Sequence, residues 1–230
     1  AESRSVRGIR TTTFQDLVLD ETPVQTPRGK EVEACLLEAA SRDLAAALEL
    51  DDPAVASFRA RVGCLGEWRP ELDLPSLDDN EVRALLPELV RGKRSFAELK
   101  KAPLLDHLKG RLDWQQLQAL DREAPERIQV PSGSRIAVRY EPGRPPVLAV
   151  RIQEVFGLAE TPTVAGARVK VLMHLLAPNH RPQQVTDDMP SFWARAYHEI
   201  RGELRRRYPK HAWPEDPLAA KPERRPKRRR

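Results

Sequence analysis

The sequence predicts an α+β chain: a helical subdomain followed by a small mixed β-sheet with a terminal helix. Three observations carry this. Apolar residues recur at helical spacing across 30–123. After Pro125 the period falls to that of a strand, with apolar and polar residues alternating. From Asp187 the helical spacing returns for one last segment.

Along the chain, residues 1–27 read as strand and turn. Thr11-Thr12-Thr13-Phe14 and Asp16-Leu17-Val18-Leu19 are β-prone, and Pro23 and Pro27 mark the exit. Two strands alone bury no core, so this segment either completes a sheet begun upstream or packs weakly here. Val32, Cys35, Leu36, Ala39, Ala47 and Leu48 form one face of a first helix. Asp52 before Pro53 is an N-cap and first-turn pair, followed at helical spacing by Val55, Phe58, Val62 and Leu65. Asp78 and Glu81 resemble a capping box ahead of Val82, Leu85, Leu86 and Leu89, and Ser95 with Glu98 repeats it before Leu99. Pro103 interrupts; Leu104, Leu108, Leu112, Leu117 and Leu120 continue the series. The expected result is a helical subdomain over 28–124, built as a bundle of four or five short helices.

In the second half, Ile128 and Val130 alternate with polar neighbours, and Ser132-Gly133 is a turn signal. Ile136, Val138 and Tyr140 then alternate with Arg135, Ala137 and Arg139, a half-buried strand by period. Pro142-Gly143 makes another turn. Val147 to Ile152 and Val169 to Leu176 are nearly continuous apolar strands, and Gln183 to Thr186 is a short edge strand. Asp187 or Asp188 caps the last helix with Pro190 in its first turn, and Phe192, Ala196, Ile200 and Leu204 form its buried ridge. This domain is expected to cover 125–217. Residues 218–230 are Pro- and Arg-rich and are expected to be a disordered basic tail.

Composition narrows the chemistry. The net charge of +5 is a tail property: residues 201–230 hold twelve Lys/Arg against four Asp/Glu, leaving about −3 for the first 200. No apolar run approaches the roughly 20 residues of a membrane span, and the first residues lack the apolar stretch of a signal peptide. The chain start reads as a boundary inside a longer protein. Cys35 and Cys64 both fall in apolar helical patterns, so buried free thiols and a reducing cytoplasm are expected.

Most catalytic chemistry is missing. Gly29-Lys30 and Gly92-Lys93 lack the upstream Gly of a phosphate-binding loop, and there is no Asp-Glu-Ala-His run to hold Mg2+. The chain by itself is not expected to bind ATP or any other cofactor. No Cys/His grouping suits zinc; His107, His180, His198 and His211 are scattered, and His174 reads as a structural residue in a strand. The pairs Asp51-Asp52, Asp78-Asp79 and Asp187-Asp188 stand at helix starts, where carboxylates satisfy free N–H groups. An enzyme reading rests on nothing beyond charge.

The remaining chemistry is cationic. Arg135, Arg139 and Arg151 fall on strands, and Arg168, Lys170 and Arg181 flank the long apolar strand. Arg205, Arg206, Arg207 and Lys210 precede Trp213. Such a set suits an RNA or single-stranded nucleic acid, with cations on phosphates and an aromatic on a base. Two plainer readings stand beside it. The arginines pair with local Asp and Glu, and Trp213, held between Ala212 and Pro214, packs against the domain.

Several blocks also resemble the C-terminal region of HrpB-type DEAH-box ATP-dependent helicases. They include Val130-Pro131-Ser132-Gly133-Ser134-Arg135, Val147 through Leu158, His174-Leu175-Leu176-Ala177-Pro178, Arg181 through Thr186, Phe192-Trp193, and Arg207 through Pro217. The match is dense over 126–217 and looser over 30–125. Ala167 and Lys170 depart from it, where the family usually has Gly and often Pro. The resemblance implies upstream motor domains that bind ATP and Mg2+, and that residues 1–27 end an OB-like domain. It implies an accessory region that aids RNA binding near that motor. The alternative is a protein-interaction or scaffolding domain, docking on the motor or another partner, with no nucleic-acid binding of its own.

Overall fold

A computed structural model describes residues 4–25 and 29–224. The fold is α+β. Two compact units interleave in sequence: Ala1–Arg59 with Pro75–Asp113, and Ala60–Leu74 with Trp114–Arg230.

In the first unit, β1 (Gly8–Phe14) and β2 (Leu17–Val24) form an antiparallel hairpin with a bulge at Thr12/Thr13. Ile9, Phe14, Leu17, Val18 and Leu19 on it are all exposed. The stretch before the hairpin is tied down. Ser5 bridges Ser95, the Phe96 N–H donates to the Arg4 carbonyl, and Arg4 pairs with Asp43 at 2.8 Å.

The expected first helix is two helices, α1 (Lys30–Arg42) and α2 (Leu44–Ala47). They break at Asp43, whose carboxylate accepts the Ala46 N–H at 3.1 Å. The buried stripe of α1 runs through Val32, Leu36 and Ala40. Cys35 sits about 100° around the helix from Leu36 and is exposed, so the expectation of two buried thiols is corrected for Cys35. Cys64 is buried, and burial pushes its thiol pKa up to about 11.

α3 (Pro53–Trp68) starts as expected, with the Asp52 carboxylate accepting the Ala54 and Val55 N–H groups. Asp78 likewise caps α4 (Asp79–Leu89), although Glu81 turns away to pair with Arg111 at 3.0 Å, leaving the capping box half made. Ser95 caps the short α5 (Phe96–Leu99), and α6 (Leu104–Lys109) follows Pro103. α1 packs on α4, α2 on α5 and α4 on α6.

The second unit begins inside α3. Arg61, 2% exposed, donates to the Ala124 and Leu120 carbonyls and to the carboxylates of Asp121 and Glu126. These bonds tie residues 60–74 to α7 (Trp114–Glu123) and the strand that follows. Both segments therefore lie with the sheet, where the sequence placed all of 28–124 in one helical subdomain.

The sheet has five strands in the order β3 (Arg127–Gln129), β4 (Arg135–Arg139), β5 (Val147–Arg151), β8 (Leu172–Leu176), β9 (Pro182–Thr186). All neighbours are antiparallel except β5 and β8, so the sheet is mixed. The apolar run 169–176, expected as one strand, is two. β7 (Val169–Lys170) pairs with β6 (Thr163–Val164), then the chain changes partner: Val171 N–H donates to Pro162 and Leu172 N–H to Pro146. The turn between β6 and β7 runs through Ala165, Gly166 and Ala167, all left-handed, with φ of 53°, 62° and 68°. At Gly166 a Cβ would lie 2.6 Å from the Arg69 guanidinium, so a side chain there would have to push that guanidinium aside as well as take a left-handed backbone.

The last helix also departs from simple periodicity. Asp188 caps α8 (Met189–Ser191), Phe192–Ala196 is wound as a π-helix, and α9 (Tyr197–Arg207) continues. The π turn adds a residue, so the buried stripe passes from Phe192 to Tyr197 rather than Ala196. Tyr197 is fully buried against Phe156, Phe192 and Trp193. Burial raises its hydroxyl pKa to about 12, and that hydroxyl donates to the Pro214 carbonyl. No helix among the described residues is long and apolar enough to cross a membrane.

Candidate nucleic-acid interface

Alternation along the strands sorts the sheet into two faces. Val138, Leu148, Val150, Met173 and Leu175 are buried on one. The other carries Arg135, Ala137 and Arg139 from β4, all exposed. Register extends this face sideways. Arg127 of β3 stands opposite Ala137, Arg139 opposite Val147, Val147 beside Leu172, and His174 opposite Val185. A cavity of about 230 Å³ opens here, with Val147, Leu172 and Pro145 as apolar lining and Arg139, Arg144, His174 and the carboxylate of Glu141 as its charged and titratable groups.

The guanidinium groups on this face differ in their neighbours. Arg144 pairs with Glu141 at 3.1 Å. Arg127 donates to the Arg135 carbonyl at 3.1 Å. Arg135 and Arg139 have no acidic partner among the described residues. Arg127 and Arg144 were not singled out from sequence, and His174 was read there as a structural residue. The alternation of Arg127, Ile128 and Gln129 was a usable signal, but the pairing that sets Arg127 beside Ala137 was not legible.

Of the other sequence candidates, Arg151 shares the outward phase of Val147 on β5, and the rest lie elsewhere in this unit. Arg151, at the end of β5, pairs with Glu154 at 2.8 Å and donates to the Arg224 carbonyl at 2.7 Å. Arg168 pairs with Glu71 at 2.6 Å and donates to the Trp68 carbonyl. Glu71's own backbone N–H, then Arg168 and Arg69, hold its carboxyl down at about 2. Lys170 is exposed on β7, and Arg181 is exposed in the turn before β9. Arg205, Arg206 and Arg207 are exposed in the last turn of α9, where cations also favour the helix C-terminus. Arg207 lies over the Tyr208 ring at 6.0 Å, and Lys210 is exposed.

Trp213 is a correction. It is only 6% exposed, its indole N–H donates to the Tyr208 carbonyl at 3.0 Å, and its own carbonyl accepts from Arg201. A side chain so covered offers no open ring face to a base. Trp213 closes the domain, as the plainer reading of its proline-flanked position expected.

At the end of β5, Glu154 organises the turn at Ser132–Ser134. Its carboxylate, 7% exposed, accepts from the Ser132 and Ser134 hydroxyls and from Arg151. Burial pushes that carboxyl pKa up, but the Ser134 hydroxyl and the Arg151 guanidinium outweigh it and hold it below the usual range. No group of His, Cys, Asp and Glu able to hold a metal ion is found among the described residues.

Residues 85–217 match the family described as ATP-dependent helicase C-terminal, HrpB_C. The chain belongs to this family. Over 176 residues it is 46% identical to the ATP-dependent RNA helicase HrpB of Escherichia coli strain K12, covering 74% of the chain and 22% of that relative. It resembles the crystal structure of the E. coli DExH-box NTPase HrpB, with 36% identity and a TM-score of 0.80 over 97% of the chain. A second crystal structure, of the Escherichia coli DEAH/RHA helicase HrpB, matches 92% of the chain with 34% identity and a TM-score of 0.67. The chain spans 22% of the curated relative and 29% of each solved chain, so it corresponds to a C-terminal portion of the helicase. In this HrpB-type C-terminal fold, the blocks at 130–135 and 147–158 meet at Glu154, Trp193 donates to the Leu158 carbonyl, and the 207–217 block closes on itself through Trp213. They are blocks that build the domain. Of the β4 arginines, Arg135 ends the first of these blocks and Arg139 lies outside them.

Proposed function

We propose that this chain is the accessory C-terminal region of an ATP-dependent RNA helicase, and that the outer face of its sheet holds single-stranded RNA by the phosphates. The observation that carries this is the β4 pair, Arg135 and Arg139, exposed on one strand face with no acidic partner among the described residues. Arg127 extends the cationic strip, and the apolar cavity beside Arg139 gives a base a place to leave water. In this reading ATP and Mg2+ serve the upstream motor, and the RNA is kept close to it in the cytoplasm. Lys170, Arg181, Arg205, Arg206, Arg207 and Lys210 are further exposed cations for a longer strand. Arg151 and Arg168 contribute by shaping the fold.

Anisotropy with a labelled single-stranded RNA across a salt series tests the proposal on the full chain. Affinity should fall steeply with salt, and Arg135→Glu with Arg139→Glu should flatten the slope by about 0.7 per lost phosphate contact. Unchanged affinity and slope in the double variant would sink the sheet-face assignment.

A second reading has one observation of its own. The β1–β2 hairpin leaves Ile9, Phe14, Leu17, Val18 and Leu19 exposed, which favours a protein neighbour, as the end of an OB-like domain would have. A domain that only docks on the motor would give no salt-dependent RNA signal.

A further inference from the structure

The basic tail is already engaged within the domain. The Gly157 N–H donates to the Pro217 carbonyl at 3.0 Å, and the Glu223 N–H donates to the Gln153 carbonyl at 2.9 Å. The Arg151 guanidinium donates to the Arg224 carbonyl at 2.7 Å, and the Arg224 Nε donates to the Ser132 carbonyl at 3.0 Å. The expected disorder is therefore corrected for 218–224; 225–230 lie outside the described residues. The loop from β4 to β5 is set differently. Its two charged side chains, Glu141 and Arg144, are exposed and line the cavity of the outer sheet face.

That loop reads Glu141-Pro142-Gly143-Arg144-Pro145-Pro146. Three prolines fix φ, and Gly143 takes the left-handed turn, with φ of 73°. The Arg144 N–H donates to the Glu141 carbonyl at 3.1 Å, and the Gly143 N–H donates to the Glu67 carboxylate at 3.2 Å. At the far end the Leu172 N–H donates to the carbonyl of the buried Pro146 at 2.8 Å. A backbone pinned in this way loses little freedom when a ligand binds.

The phosphate strip gives Glu141 no role, since a carboxylate there repels the strand. Its pair with Arg144 leaves both groups within reach of a ligand. The two side chains are 56% and 69% exposed, and a pair so open to water is worth little and parts readily. The cavity beside them, at about 230 Å³, is smaller than the roughly 300 Å³ at which pockets for drug-sized ligands begin, so it suits one base and not a strand. Val147, Leu172 and Pro145 give it apolar walls, and His174 is half-buried in the lining.

The charged lining offers two kinds of fork: a carboxylate with two acceptors, and guanidinium groups with paired donors. Guanine carries the complement of both. Its N1–H and 2-amino groups are adjacent donors, and its O6 and N7 are adjacent acceptors. Adenine, with a donor beside N7, calls for the amide of Asn or Gln, and neither lines the cavity. Cytosine and uracil have no two adjacent donor groups. Glu141 and Arg144 stand side by side, as N1–H and O6 do on guanine.

We infer that this cavity is a guanine pocket, in which Glu141 accepts from N1–H and the 2-amino group and Arg144 donates to O6 and N7. The inference rests on the RNA reading of the outer sheet face and adds base selectivity to it.

The test is anisotropy on the full chain at fixed low salt, with a labelled uridine tract and the same tract carrying one central guanosine, adenosine or inosine. The guanosine tract should bind about tenfold tighter than the adenosine tract, the scale of one good bidentate pair. Inosine, which lacks the 2-amino group, should keep only about threefold. Glu141→Ala should lose the guanosine preference and bind the plain uridine tract more tightly, because a repelling charge has left the strip. Equal binding of guanosine and adenosine tracts, inosine equal to guanosine, a preference that survives Glu141→Ala, or a variant that loses affinity for every tract alike would each overturn the pocket while the RNA reading stands. Absence of salt-dependent binding to any tract would overturn the RNA reading and the pocket with it.

Discussion

Two arginine-bearing regions of the sheet unit make opposite use of the same side chain. At the seam of α3 and α7, Arg61 is almost wholly buried, and its donors meet two carbonyls and two carboxylates. On the outer sheet face, Arg135 and Arg139 stand in solvent without an acidic partner among the described residues. The first region uses arginine as a brace. The second leaves it open to an anion from outside. Arginine content is therefore a poor guide to ligand binding until the position of each acid is known.

Four variants sharpen this contrast, from the largest expected effect on stability to the smallest. Arg61→Ala should cost about 2–4 kcal/mol, because it strands the Ala124 and Leu120 carbonyls and leaves a void. Urea denaturation gives the number; a loss under 1 kcal/mol would break the brace reading.

Glu154→Gln should cost about 2 kcal/mol at neutral pH, by weakening bonds to Arg151, Ser132 and Ser134. The folded carboxyl titrates below its ordinary value, so its contribution is complete above the unfolded pKa of about 4.3. It is lost as pH falls through the lower folded value. The gap between variant and wild type should close in acid, read from melts at neutral pH and near pH 3. A gap that persists unchanged in acid would show that shape and not charge is at work.

Ala167→Gly should stabilise the chain by about 1 kcal/mol, since a φ of 68° strains an alanine and not a glycine. A lower melting temperature would mean the β6–β7 turn differs from this geometry. Last, Arg135→Glu with Arg139→Glu should change stability by no more than about 0.5 kcal/mol, being exposed and unbraced, while weakening RNA binding and flattening its salt dependence. A large stability loss would erase the difference between the two regions.

Much of the element pattern was legible because it is local. The caps at Asp52, Asp78, Ser95 and Asp188 each act within three residues, and all four form. The β4 alternation is equally local and correctly put Arg135 and Arg139 on the polar face. The misreadings have physical causes. Cys35 lies at the edge of a stripe that is narrower than its apolar spacing suggested. The run 169–176 keeps its composition while its backbone changes partner at Val171. The π turn at Phe192–Ala196 moves the buried stripe by one residue, which a fixed helical period cannot show. The low-complexity tail has no apolar pattern, so its polar seat at Gln153 and Ser132 left no trace in composition.

The sequence by itself determined the α+β order, the helix starts, the strand faces and the family, because each depends on neighbours in the chain or on blocks read directly. Only the tertiary structure decided which cations are spent. Arg61 finds Asp121 and Glu126 at separations of 60 and 65 residues, Arg168 finds Glu71, and Arg151 finds both Glu154 and the returning tail. An ion pair requires a few ångströms of space and no particular distance along the chain. The arginines left for a phosphate are those that folding did not bring to an acid.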